Sequence, residues 1–142
     1  MRQIPVDPDG RGRTWLLAFD AGEAVIERLV DFARAHDFGA AHFHAIGAFR
    51  RATVAFYDLA AQRYEEHPVE EQVEVCSLIG DVSRSGDEVR VHAHCVLGRR
   101  DLSTLGGHLV EAEVNPTLEL FLWQGEVILE RKHDDASGLP LL

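Results

Sequence analysis

The sequence predicts an α+β domain: a large antiparallel sheet, curled into a partial barrel, covered by one main amphipathic helix. Three observations carry this. Helical periodicity occupies a single segment near residues 20–35, the other apolar residues alternate with polar ones, and short turn clusters join the alternating segments. A chain of 142 residues is the size of one domain with a core of its own.

Residues 1–13 read as a flexible arm and 14–142 as the single domain. The first strand is Thr14-Trp15-Leu16-Leu17-Ala18-Phe19. Asp20 with Glu23 three residues on resembles a capping box, which starts a helix running to about Ala35. Val25, Ile26, Leu29, Val30 and Ala33 recur at helical spacing and form the face that packs on the sheet. Beyond Gly39 the period changes, and strands are expected over 42–46, 53–57, 63–67, 73–78, 89–97, 109–114, 118–123 and 126–131. Ser83-Arg84-Ser85-Gly86-Asp87, Asn115-Pro116 and Gln124-Gly125 supply the turns. One helix of about 20 Å covers only part of so wide a sheet, so the uncovered area calls for a partner, and three copies around a three-fold axis would bury it. In that arrangement a neighbour's Arg50 or Arg51 could complete a pocket near the subunit boundary.

Composition narrows the function. Twenty-four acidic against fourteen basic residues give a formal charge of −10, which opposes direct contact with a phosphate backbone. Lys132 is the only lysine, so Schiff-base chemistry has little to work with, whereas thirteen arginines can hold carboxylates. No apolar run reaches the roughly 18–20 residues of a membrane helix, and the N-terminus lacks the apolar stretch of a signal peptide, so a cytoplasmic protein is expected. Cys76 and Cys95 lie in apolar strand-like segments and read as small buried thiols.

The chemistry concentrates in the histidines, of which there are eight. In Val89-Arg90-Val91-His92-Ala93-His94-Cys95-Val96-Leu97 the strand period puts His92 and His94 on one face, about 6–7 Å apart along the strand. Fourteen residues after His94 comes Gly106-Gly107-His108-Leu109, at the start of the next strand. Three histidines with one position left open form the donor set of a catalytic-type divalent-metal site, with zinc the expected ion, and the glycine pair permits the close backbone approach that brings His108 in. The plainer reading is a half-exposed polar strand face. His42 and His44 also share one strand face, but no third ligand adjoins them, so they read as polar surface or as lining of the same cleft. His36, His67 and His133 are expected to face solvent. Arg99, Arg100 and Asp101 follow the His-x-His strand, and Glu111 and Glu113 follow His108; these could orient a small-molecule ligand or support a metal-bound water. A turn interaction for Asp101 and ordinary ion pairs for the others are the simpler alternatives.

The blocks Ala45-Ile46-Gly47-Ala48-Phe49, Val73-Glu74-Val75-Cys76-Ser77-Leu78-Ile79-Gly80-Asp81, His92-Ala93-His94, Gly106-Gly107-His108-Leu109 and Pro116-Thr117-Leu118-Glu119 resemble, in order, those of the plants and prokaryotes conserved domain in its bacterial stand-alone form. That resemblance implies an α+β fold with a seven- to eight-stranded antiparallel sheet and a homotrimer. It also implies a fold similar to acetolactate decarboxylase, a zinc enzyme whose metal is held by three histidines. Plant relatives carry AT-hooks and act in the nucleus, and bacterial members have been labelled DNA-binding on that basis. Here Arg11-Gly12-Arg13-Thr14 lacks the hook's proline and is flanked by Asp7 and Asp9, so a DNA-associated or protein-interaction module is the alternative function rather than the first.

Overall fold

The computed structural model describes residues 1–7 and 13–142. Arg11 and Gly12 of the hook-like motif lie outside the described residues. Seven strands form the main sheet: β1 (Arg2–Pro5), β2 (Thr14–Asp20), β3 (Ala41–Asp58), β4 (Arg63–Val69), β5 (Val73–Ser85), β6 (Glu88–Gly98) and β7 (Thr104–Gln124), with α1 (Val25–Ala35) between β2 and β3. A separate hairpin pairs β8 (Lys132–Asp134) with β9 (Leu139–Leu141). The sheet order is β1-β2-β7-β6-β5-β3-β4, and a further β3–β7 pairing closes β7, β6, β5 and β3 into a ring. All these pairings are antiparallel.

The ring closes because two strands are much longer than their apolar blocks. The expected strands 42–46 and 53–57 are halves of the 18-residue β3, and 109–114 and 118–123 are halves of the 21-residue β7. Register shifts along the β3–β7 pairing bend both strands without ending them. Asn115-Pro116, read as a turn, lies within β7. Segment 126–131 forms no strand: its backbone crosses the sheet margin, where Leu129 N–H donates to the Gly39 carbonyl and Arg131 N–H to that of Arg84. Residues 2–5, part of the expected arm, pair with β2 as an edge strand.

The helix begins one turn later than the Asp20–Glu23 pattern implies. Glu23 does accept the Asp20 N–H at 2.9 Å, but this closes a turn ahead of the helix, whose N-cap is Ala24. Val25, Leu29, Phe32 and Ala33 are buried against β6 and β7. Each of the three larger side chains contributes about 1.5–3 kcal/mol by leaving water. At 11 residues this helix is too short to cross a membrane, and none of the described residues forms a helix long and apolar enough to do so.

Alternation sorts the sheet into two faces. Phe43 and Ala45 on β3, Leu78 and Val82 on β5, Ala93, Cys95 and Leu97 on β6, and Leu118, Leu120 and Leu122 on β7 point into the core. Their neighbours point outward: His42, His44, Ile46, Ile79, His94, Val96, Phe121 and Trp123 are exposed. Of the two cysteines, only Cys95 is buried. Cys76 is exposed: it follows the inward-facing Val75 in alternation and sits at the register shift between Val75 and Ser77.

Candidate metal centre

The outer face is organised in cross-strand rows. One row runs Trp123, His42, Asp81, His92 across β7, β3, β5 and β6; the next runs Phe121, His44, Ile79, His94 and returns to β7 at His108. Directly opposed residues on one face have their Cβ atoms about 4.5–5.5 Å apart, so ring closure makes His94 and His108 immediate neighbours.

His92, His94 and His108 each bring a ring nitrogen within 4.8 Å of the others, and their ring centroids are 5.2, 5.4 and 5.5 Å apart. The glycines before His108 act through space rather than through unusual angles. A Cβ on Gly106 would lie 2.7 Å from the Cys95 carbonyl oxygen, and one on Gly107 would lie 2.7 Å from that of Ala55. The start of β7 can therefore run hard against both β6 and β3, which sets His108 opposite His94.

The electrostatics favour neutral rings. Burial, followed by the charges of His92 and His94, takes His108 down to about 4, and burial with the nearby His92 also lowers His94. Neutral imidazoles present the lone pairs that a divalent ion requires. The Nδ1 of His108 is buried without a hydrogen-bond partner among the described residues. A ring with a buried, unpartnered nitrogen, converging with two other imidazoles, fits a divalent ion held in an open site, the chemistry of three-histidine centres.

Two supporting residues escape sequence reasoning. Asp81 Oδ2 lies 3.4 Å from His92 Nδ1, and its other oxygen accepts from Arg131 Nη2 at 2.8 Å. Burial pushes the Asp81 carboxyl up, but the hydrogen bonds and charges of His92 and Arg131 outweigh it and hold the group below its usual range. Tyr64 stacks on His108 with centroids 4.7 Å apart and rings 27° from parallel. Burial and the neighbouring Tyr57 raise its phenol. Asp81 lies beyond the expected strand 73–78 and Tyr64 within the expected strand 63–67, and neither carried a spacing signal.

The remaining candidates are engaged elsewhere. Arg99 pairs with Glu71, Glu111 accepts from the Thr53 hydroxyl, and Glu113 holds both Arg50 and Arg51. Asp101 caps its own turn by accepting from the Ser103 backbone and hydroxyl, and Arg100 is exposed. His42 stacks on Trp123 at 5.1 Å, and His44 lies against Trp123 and Phe121, with β5 between both histidines and the triad. His36, expected in solvent, packs among Trp15, Phe32 and Phe38.

No curated protein sequence matches the chain significantly. Among solved structures it is similar to a plant- and prokaryote-conserved protein of Pyrococcus horikoshii, with 32% identity, a TM-score of 0.85 and coverage of 91% of this chain and 90% of that one. The metal-containing protein of Archaeoglobus fulgidus is 33% identical, with a TM-score of 0.83 over 90% of this chain and 91% of that one. A Bacteroides thetaiotaomicron protein, described as a candidate for DNA binding, is 25% identical, with a TM-score of 0.88 over 92% and 91% of the two chains. The likeness to acetolactate decarboxylase of Bacillus subtilis is one of fold: 11% identity and a TM-score of 0.60, over 85% of this chain and 57% of the enzyme. Residues 6–125 match the family described as the Plants and Prokaryotes Conserved (PCC) domain. The match runs from β2 through β7 and includes the strands that carry the triad, and the chain belongs to the Plants and Prokaryotes Conserved domain family.

Proposed function

We propose that this protein binds a divalent ion, zinc, through His92, His94 and His108, with one coordination position open to a small-molecule ligand or substrate. The observation that carries the reading is the convergence of three ring nitrogens within 4.8 Å, on three imidazoles of which one, His108, has a buried and unpartnered Nδ1. A bound zinc supplies Lewis-acid polarisation of a ligand oxygen and activation of water. The chain's own contribution is to favour the neutral rings of His94 and His108, to orient His92 through Asp81, and to wall one side of the site with Tyr64. The similar Archaeoglobus protein, described as metal-containing, supports the same reading.

The working unit in this proposal is a cytoplasmic homotrimer. Ile46, Ile79, Val96, Phe121 and Trp123 are exposed on the outer face that carries the triad, and α1 packs on the opposite face. A patch of this kind on a charged chain calls for a protein partner, and a second and third copy provide one. Elemental analysis of purified protein tests the metal: near one zinc per chain is expected, and a His92→Ala, His94→Ala double variant with unchanged metal content would overturn the assignment.

The competing reading is DNA association, favoured by the description of the Bacteroides relative. A charge of −10 opposes it. Fluorescence anisotropy with duplex DNA at about 50 mM salt, where phosphate attraction is strong, separates the two. Tight, salt-sensitive binding would favour the DNA reading.

A further inference from the structure

We propose that Arg131, on the segment that follows β7, is a positioning residue of the histidine centre: it fixes Asp81, and Asp81 fixes His92 with Nδ1–H on the carboxylate and the Nε2 lone pair free for an ion. The inference rests on the metal-binding reading and assigns to that site a residue 39 positions from the nearest strand-borne donor it serves, His92.

The arginine side chain is only 9% exposed. Burying a guanidinium is costly unless its nitrogens find acceptors, and here each of the three does. Nε donates to the hydroxyl of the fully buried Ser83 at 2.7 Å, Nη2 to Asp81 Oδ1 at 2.8 Å, and Nη1 to the Pro140 carbonyl at 3.1 Å. Its backbone is held as well, since its N–H donates to the Arg84 carbonyl at 2.8 Å. The guanidinium plane is thus fixed from several sides, and the carboxylate it grips inherits that orientation.

Asp81 divides its two oxygens. Oδ1 takes the arginine and Oδ2 faces His92 Nδ1. A carboxylate so held accepts the Nδ1 proton, which selects one tautomer and strengthens the opposite nitrogen as a ligand. Anchoring the C-terminal segment alone would require only the Ser83 and Pro140 bonds; the third nitrogen donates to the carboxylate beside His92. Lysine, with a single ammonium on a flexible stem, cannot make this three-way contact.

The test compares the wild-type chain with Arg131→Met, Arg131→Lys, Asp81→Asn and the Asp81→Asn, Arg131→Met double variant. The readouts are the His92 tautomer in metal-free protein by ¹⁵N NMR, zinc affinity by competition with a chelating dye, and the thermal midpoint. The wild-type ring is expected to carry its proton on Nδ1 and to lose that preference in Arg131→Met. Zinc affinity is expected to fall about 10–100-fold in Arg131→Met and in Asp81→Asn, with the double variant no weaker than Asp81→Asn alone. Arg131→Lys falls between, and it supplies the readout if the methionine variant does not fold. Unchanged tautomer and affinity in both arginine variants would overturn the proposal, as would losses that simply add in the double variant. A wild-type chain that shows the arginine-dependent tautomer but binds no zinc would overturn the metal reading and leave the positioning of His92 standing.

Discussion

Two His-x-His pairs sit on the same outer face of one sheet, and they behave differently. His92 and His94 on β6 meet a third histidine across the ring closure, with a carboxylate behind one of them. On β3, His42 stacks on Trp123, and His44 packs at a tilt against Trp123 and Phe121. Both pairs satisfy the same local rule, since alternation presents both imidazoles outward. The difference lies in what the neighbouring strand offers in the same cross-strand row, so a ligand pair becomes a site only where the sheet's register supplies the rest.

The largest expected effect breaks the comparison outright. Replacing His92 and His94 by alanine should take the metal content from near one per chain to background, while the same change at His42 and His44 should leave it intact; elemental analysis after gel filtration reads both. Equal losses from the two double variants would mean that the pairs are equivalent and that the row argument is wrong.

A second change moves the third ligand without touching it. Gly107→Ala puts a Cβ 2.7 Å from the Ala55 carbonyl oxygen, which forces β7 away from β3 beside His108. Overpacking of this kind costs about 1–3 kcal/mol of stability. Zinc affinity, measured by dye competition, should fall about tenfold or more, in line with loss of ligand orientation. Affinity at the wild-type level would show that His108 tolerates the displacement.

The two pairs share a patch of apolar neighbours, and a charge placed there tests the proposed trimer. Ile79 stands between His44 and His94 in its row and is 55% exposed. Ile79→Glu should lower the mass seen by light scattering from that of three chains to that of one, while the thermal midpoint of the chain changes little. Retention of the wild-type mass would place the interface elsewhere.

The smallest effect marks which way β6 faces. Cys95 follows His94 and points inward, and burial pushes its thiol up to about 11. In a Cys76→Ser chain, the remaining thiol at pH 8 should react with a disulfide reagent a few hundred-fold more slowly than an ordinary cysteine, because its thiolate fraction is that much smaller. The rate should climb with pH towards 11 and jump on unfolding. Rapid labelling of native protein at pH 8 would invert the face assignment of β6, and with it that of His92 and His94.

Much of this was legible in the chain. The alternation in 89–97 places His92 and His94 together, the glycine pair signals a close approach, and the ordered blocks point to the family. Other expectations failed where they relied on local pattern alone. Asp20 and Glu23 form a turn rather than a cap, because Glu23 closes on the Asp20 N–H ahead of Ala24. Segment 126–131 has strand-like composition yet pairs only through isolated contacts at the sheet margin. Cys76 escapes burial because it alternates with the inward-facing Val73 and Val75, so its apolar surroundings in sequence belong to the other face.

The sequence by itself determined which side chains share a face, because that follows from a two-residue period no neighbour can alter, and it determined that the start of β7 could lie against other backbones, because glycine has no Cβ. Tertiary structure alone decided that His108 stands opposite His94, that Asp81 backs His92, and that Arg131 reaches Asp81 from the segment beyond β7. These are matters of register and ring closure. They are set by the packing of a core drawn from the whole chain, and the energy that fixes them comes from residues far from the ones they position.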